Sequence, residues 1–289
     1  MRTRFAPSPT GPLHLGHAYS ALLAQDMARA AGGEFLLRIE DIDSTRSRPA
    51  WEAQIYDDLR WLGLDWPEPV LRQSDRRAAY GAALDDLWRR ELIYPCHCTR
   101  RDIAAAASAP QEGAAPAMGP DGLVYPGTCR DLLPPGYGAG PRPDGVALRL
   151  HMARALDLAG DGLGFCETGA GPSGQTGRIA LSRARLLAEV GDVVLSRRDF
   201  PGSYHLSVVL DDAAQQISHV VRGRDLFEAT AIHVVLQHLL GLPQPVWHHH
   251  ALIRDAGGKR LAKRDDARAI ASFRAEGATP QDIRAMVGL

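Results

Sequence analysis

Cysteine is scarce: four in 289 residues, too few for a disulfide-stapled scaffold and in keeping with a reduced, cytosolic setting. No apolar run approaches the ~18 residues a membrane span needs, so no membrane association is expected. The opening Met1-Arg2-Thr3-Arg4 leads into Pro7-Ser8-Pro9 and not into an apolar stretch, and no secretory leader is expected. Neither sign of charge dominates. Thirty-three Lys and Arg stand against 34 Asp and Glu, a net of −1, which excludes a globally basic nucleic-acid coat but not a local basic patch. Internal repeats are absent. Hydrophobic residues make 45 % and charged residues 23 %, a globular composition that excludes disorder and collagen-like repeats. The length suits one large domain or two smaller ones with a sizeable core.

What is there alternates between strand and helix. Thr3–Ala6 reads as a short strand. A helix begins near Leu15, with Leu15, Tyr19, Leu22, Leu23, Met27 and Ala30 at helical spacing, and Gly32-Gly33 ends it. Phe35–Ile39 reads as a second strand. Trp51, Ile55, Leu59 and Leu62 mark a helix with Pro49 near its start and Gly63 past its end. Tyr80, Leu84, Leu87 and Trp88 mark another. Val208–Leu210 and Ile217–Val221 read as later strands, and Ile232–Leu240 as a helix. Such alternation predicts an α/β fold with a parallel sheet. Residues 104–145 break the pattern: 25 of 42 positions are Ala, Gly or Pro. Ala104–Ala107 extends a helix, and the Pro and Gly density beyond it predicts no regular structure. Cys96, Cys98 and Cys129 bracket this stretch and suggest an anchor between the two halves of the sheet.

Ala6-Pro7-Ser8-Pro9-Thr10-Gly11-Pro12-Leu13-His14-Leu15-Gly16-His17 joins the first strand to the first helix. Ligands of open α/β sheets sit at such strand ends, and a helix N-terminus offers N–H groups to phosphate. His14 and His17 flank Gly16, which lets a nucleotide lie close to the backbone. The competing reading is a proline-rich turn with two surface histidines. Cys96-His97-Cys98 with Cys129 gives three sulfurs suited to zinc; the fourth ligand stays open among His97, Asp131 and Cys166, and free reduced cysteines are the alternative. His248-His249-His250 is no metal site, because consecutive side chains diverge. Arg254, Lys259, Arg260, Lys263, Arg264 and Arg268 form one basic cluster, and Arg178, Arg183, Arg185, Arg197 and Arg198 another. Both suit phosphate, or are solvated surface.

The Arg4–His17 run resembles the HIGH region of the class I glutamyl-tRNA synthetases. Arg38-Ile39-Glu40-Asp41-Ile42-Asp43, Tyr204-His205-Leu206-Ser207-Val208-Val209-Leu210-Asp211-Asp212 and Val221-Arg222-Gly223-Arg224-Asp225-Leu226 resemble that family in the expected order. Arg260-Leu261-Ala262-Lys263-Arg264 stands where the KMSKS loop belongs. Arg260 replaces its first Lys and Ala262 its Ser, while Lys263 keeps the second Lys. Only 25 residues follow Arg264, too few for a helical anticodon-binding part. The chain therefore resembles the short paralogues, the glutamyl-Q tRNA(Asp) synthetases.

That resemblance implies a class I Rossmann-type parallel sheet carrying an inserted zinc-bearing subdomain. The expected division is 1–92 and 193–240 for the two halves of the catalytic domain, 93–192 for the zinc-binding insertion, and 241–289 for the KMSKS-loop region and a short helical tail. The implied enzyme is an ATP-dependent ligase that activates L-glutamate without tRNA and transfers it to queuosine at the wobble position of tRNA(Asp). The alternatives are a glutamyl-tRNA synthetase charging tRNA(Glu), a non-catalytic tRNA-binding paralogue, or another HIGH-type nucleotidyl transferase. The resemblance assigns catalysis to His14, His17 and Lys263; ATP to these with Gly16; glutamate to Arg4, Ser8, Glu40, Tyr204 and Arg222; and structural zinc to Cys96, Cys98, Tyr125 and Cys129. Mg²⁺ would accompany ATP. A guanidinium holds a carboxylate bidentately, so Arg4 and Arg222 are expected to grip glutamate's carboxylates and Glu40 its ammonium. His249 is expected near ATP, Cys166 as a free thiol, and the chain as a cytoplasmic monomer.

Overall fold

The structure, a computed structural model, describes residues 1–107, 117–253 and 268–289. In chain order the elements are β1 (Arg2–Phe5), α1 (Leu15–Ala30), β2 (Glu34–Ile39), α2 (Pro49–Trp61), β3 (Leu71–Arg72), α3 (Arg77–Arg89), β4 (Ile93–Cys96), α4 (Arg100–Ala107), β5 (Met118–Gly119) and β6 (Gly122–Leu123). These are followed by β7 (Ala147–Leu150), α5 (Met152–Ala159), β8 (Gly164–Glu167), β9 (Gly177–Ala180), α6 (Arg183–Arg185) and β10 (Val194–Ser196). The chain then runs through α7 (Tyr204–Ala214), β11 (His219–Gly223), α8 (Thr230–Leu239), β12 (Val246–His250), α9 (Ile270–Ala275) and α10 (Pro280–Val287).

The expected parallel sheet is present. β1 pairs parallel with β2, and β2 with β3. β11 pairs parallel with β12, and β12 with β8. The two sets meet at β1 and β11, where the Ser218 amide donates to the Arg2 carbonyl at 3.0 Å. β9 closes the far edge antiparallel to β8, so two strands within 93–192 extend the sheet of the second half. A separate antiparallel trio, β10-β7-β4, packs beside it. Leu13, Leu22, Leu37 and Leu59 form the core under α1 and α2. Tyr80, Leu148, Leu206 and Leu236 form the other large core.

Two expectations are corrected. Val208–Leu210 lies inside α7, not in a strand. A short apolar run fits a buried strand and a buried helix alike, and here the Ser203 hydroxyl caps the helix by accepting from the Leu206 amide. The Pro- and Gly-rich stretch is not devoid of structure either. β5 and β6 form a hairpin through Pro120-Asp121, with Gly122 at φ +99°, a conformation favouring glycine. α9 and α10 pack the C-terminal residues against the first half: the Ile270 amide donates to Leu13, and Arg284 pairs with Asp26 at 2.7 Å. Among the described residues no helix is long and apolar enough to cross a membrane.

Candidate active site

The strand ends of β1, β2 and β11 and the start of α1 enclose a cavity of about 370 Å³. Arg4, His14, Gly16, His17, Glu40, Tyr204 and Arg222 all line it. Seven positions that lie up to 218 residues apart in sequence thus meet at the place where open α/β sheets bind ligands.

His14 and His17 build the helix start that they flank. The His14 Nδ1 accepts from the Gly16 amide at 3.1 Å, and the His17 Nδ1 accepts from the His14 amide at 3.2 Å. This is a capping box made by two imidazoles. A ring that accepts at Nδ1 carries its proton at Nε2 when neutral. Both rings, stacked 3.8 Å apart at 33°, are therefore Nε2–H donors at the positive end of α1.

Beside them lies a buried charge cluster. Asp212 accepts from Arg4 Nε and Nη2 at 3.0 and 3.3 Å and from Arg38 Nη1 at 2.6 Å. Arg38 Nη2 reaches the Glu40 carboxylate at 3.1 Å. Burial alone would raise the Asp212 pKa, but Arg4 and Arg38 overcome it and hold the carboxyl below its usual range. Glu40 moves the other way: burial pushes its pKa up, with Arg38 and Arg4 pulling against it. Arg38 and Asp212 stand inside the motifs quoted above without an assigned role. The signal for Arg38 is the two-residue period of β2, which puts it on the face of Glu40.

Arg222 is held differently. Its Nε donates to His249 Nε2 at 3.1 Å, Nη1 to Tyr204 Oη at 3.4 Å and to His233 Nδ1 at 3.3 Å, and Nη2 to the Leu226 carbonyl at 3.1 Å and Thr230 Oγ1 at 2.7 Å. All five N–H groups point at neutral acceptors. Among the described residues no carboxylate pairs with it. Burial lowers its pKa, and neighbouring Arg4 adds to the effect. Tyr204 and Asp212 oppose this through space, and the result is a buried cation with no directly bonded carboxylate among the described residues, a state that is costly until an anion arrives. Arg4 already spends its Nε/Nη2 edge on Asp212, and the Nη1 contact with Tyr204, at 3.4 Å, is the longest that Arg222 makes.

Two described sequence-predicted residues, Ser8 and His249, are not among those lining the cavity. Ser8 is half-buried on the β1–α1 connection and is not among the cavity-lining residues. Lys263 lies outside the described residues. His249 is buried between Arg222 and Glu167, with its Nδ1 2.5 Å from the Glu167 carboxylate. It is its neighbour His250, bonded to Ser20 Oγ at 2.7 Å, that lines the cavity. The three histidines have separate partners: His248 turns to Thr168, His249 to Glu167 and His250 to Ser20.

The Cys96, Cys98 and Cys129 sulfurs lie within 4.8 Å of one another, and no cysteine is in a disulfide. The Tyr125 hydroxyl sits 3.5 Å from Cys98 Sγ and accepts the Cys129 amide proton at 2.8 Å. Burial raises the Cys129 thiol, yet hydrogen bonds led by Tyr125 bring it down to about 7. The Arg149 guanidinium lies 3.9 Å from the Tyr125 ring centroid and offsets negative charge there. Three converging thiols with an adjacent oxygen fit a soft divalent metal. Of the other fourth-ligand candidates, Cys166 is exposed on β8 and Asp131 is exposed.

A parallel sheet with histidines at the first helix start, facing buried arginines, is the arrangement of a class I synthetase. Residues 1–119 and 176–289 match the family of tRNA synthetases class I (E and Q), catalytic domain. A glutamyl-Q tRNA(Asp) synthetase from Rhodobacter capsulatus is 63 % identical over 289 residues, covering 100 % of both chains. One from Nocardia farcinica is 43 % identical over 98 % of this chain and 82 % of its own. The structure is also similar to a glutamate tRNA ligase from Elizabethkingia meningosepticum in complex with its amino acid. The TM-score is 0.72 and the identity 26 %, with 100 % of this chain covered, which spans 60 % of that one. The chain belongs to the class I (E and Q) tRNA synthetases, within the glutamyl-Q tRNA(Asp) synthetase family. Synthetases of this class use ATP and Mg²⁺.

Proposed function

We propose that this protein activates L-glutamate with ATP, independently of tRNA, and transfers the glutamyl group to queuosine at the wobble position of tRNA(Asp). The observation that carries this reading is that Arg222, bonded to no carboxylate among the described residues, lines one cavity with Glu40. A buried cation bonded only to neutral acceptors and a buried carboxylate suit the two ends of an amino acid. The Arg222 Nη1 and Tyr204 hydroxyl, 3.4 Å apart, share one glutamate carboxylate. Arg4 adds positive charge beside it, and Glu40 takes the ammonium.

Activation forms a bond between a glutamate carboxylate oxygen and the α-phosphorus of ATP and breaks the bond to pyrophosphate. Positioning and charge stabilisation do most of this work. His14 and His17 donate their Nε2–H groups to phosphate oxygens as charge builds, and Gly16 lets the nucleotide approach α1. Lys263 stabilises the pentacovalent state. A queuosine hydroxyl then attacks the glutamyl carbonyl, losing its proton as AMP leaves. Cys96, Cys98, Tyr125 and Cys129 bind zinc in a structural role, tying the Ala/Gly/Pro stretch to β4. We place the protein in the cytoplasm, acting as a monomer.

Glutamate-dependent exchange of pyrophosphate into ATP, measured without tRNA, tests the activation step. Saturable exchange supports it; a non-catalytic tRNA-binding paralogue shows none.

A further inference from the structure

Arg222 is reached from outside the cavity by a chain of side chains that begins in the inserted segment. Asp121, at the turn of the β5–β6 hairpin, has both carboxylate oxygens 2.9 Å from His205 Nε2. His205 Nδ1 lies 3.2 Å from His233 Nε2, and His233 Nδ1 lies 3.3 Å from Arg222 Nη1. His205, His233 and Arg222 are buried, whereas the Asp121 side chain is half exposed.

The two ends of this chain dictate its protons. A guanidinium only donates and an ionised carboxylate only accepts. Arg222 therefore makes His233 Nδ1 an acceptor, and His233, keeping one proton, must donate from Nε2. His205 Nδ1 then accepts, and its proton sits on Nε2, facing Asp121. One consistent assignment runs the whole way. A His205 protonated on both nitrogens would set donor against donor at His233. On the other side of Arg222 the same logic holds, since Glu167 takes the His249 Nδ1 proton and leaves Nε2 to accept.

We propose that Asp121 is a positioning residue for amino-acid binding, holding Arg222 in register through the tautomers of His205 and His233 and so coupling the hairpin of the inserted segment to the glutamate site. This rests on the reading of Arg222 as a glutamate-binding residue. Removing the carboxylate leaves Arg222 as the one end that fixes these tautomers, so the form with the His205 proton on Nδ1, which would turn His233 around and present Arg222 with a donor, gains population.

The experiment compares the full-length protein with Asp121→Ala and Asp121→Glu by tRNA-free pyrophosphate exchange and by ¹⁵N-histidine NMR. In the unaltered protein His205 should show a single Nε2–H tautomer. In Asp121→Ala its ring nitrogens should shift toward a tautomer average, and the KM for glutamate should rise on the order of 10-fold, with kcat and the KM for ATP within about twofold. Asp121→Glu should restore both. An unchanged His205 tautomer, an unchanged KM for glutamate, or equal losses in both substrates' KM and in kcat would overturn the proposal. The NMR arm needs no substrate. Absence of any exchange in the unaltered protein would defeat the glutamate reading, while the spectra would still decide the relay.

Discussion

Arg222 and His249 meet at 3.1 Å with the arginine donating, so a buried cation is held by a neutral imidazole. His249 can accept because Glu167 takes its other proton. The arrangement places positive charge without cancelling it, unlike Arg4, whose partner Asp212 is a carboxylate.

Replacing Arg222 tests that difference. Arg222→Lys keeps the charge but cannot reach His249, His233 and Thr230 together. The kcat/KM for glutamate should fall about 100-fold, roughly 3 kcal/mol, with the KM for ATP little changed. An effect confined to ATP would remove Arg222 from the amino-acid site.

We propose that Lys263 acts on ATP and the transition state, not on glutamate binding. Lys263→Ala should slow adenylate formation by on the order of 100-fold or more in single-turnover measurements, leaving glutamate affinity within about threefold. Equal losses in rate and affinity would make it a binding residue.

For the sulfur cluster, elemental analysis should find zinc in stoichiometric amount. Cys98→Ser should lose it and lower the thermal midpoint. Tyr125→Phe separates the ligand sets: weakened zinc retention is expected if the hydroxyl is the fourth donor, and full retention at unchanged affinity would remove Tyr125 from the set.

Asp58 of α2 gives a pH prediction. It is buried with Oδ2 lacking a hydrogen-bond partner, and burial, with Asp57 adding to it, pushes its pKa up to about 6. A carboxyl raised in the fold binds its proton more tightly there than in the unfolded chain. Its stabilising contribution is complete below the unfolded value near 4 and is lost as pH rises through about 6. Asp58→Asn stays neutral. The variant should gain stability over the parent as pH rises from about 4 to about 7, by up to about 3 kcal/mol, in urea titrations. A gap that does not change with pH would contradict this.

Much of the sheet was legible because α1, β2 and α2 carry clear periods and clear ends, such as Gly32-Gly33 after α1. α7 was misread because Val208-Val209-Leu210 is apolar on every side, and burial all round erases the period that separates helix from strand. At the site, motif resemblance pointed to Arg4, Glu40, Tyr204 and Arg222, and the fold brings them to one cavity. It gave no hint that Arg4 is already engaged by Asp212, since hydrogen-bond partners 208 residues apart leave no local pattern. His205, His233 and Asp121 were equally hidden. His205 stands in a quoted motif without a role and the other two in none, and only the packing of α7, α8 and the β5–β6 hairpin makes them neighbours.

The acceptor is the central claim, and labelled glutamate measures it directly. Incubated with ATP and the protein, tRNA(Asp) carrying queuosine should become labelled at the anticodon, while the same tRNA lacking queuosine and tRNA(Glu) should stay unlabelled. Label at the 3′ end of tRNA(Glu), with none on the queuosine-bearing tRNA(Asp), would contradict the account.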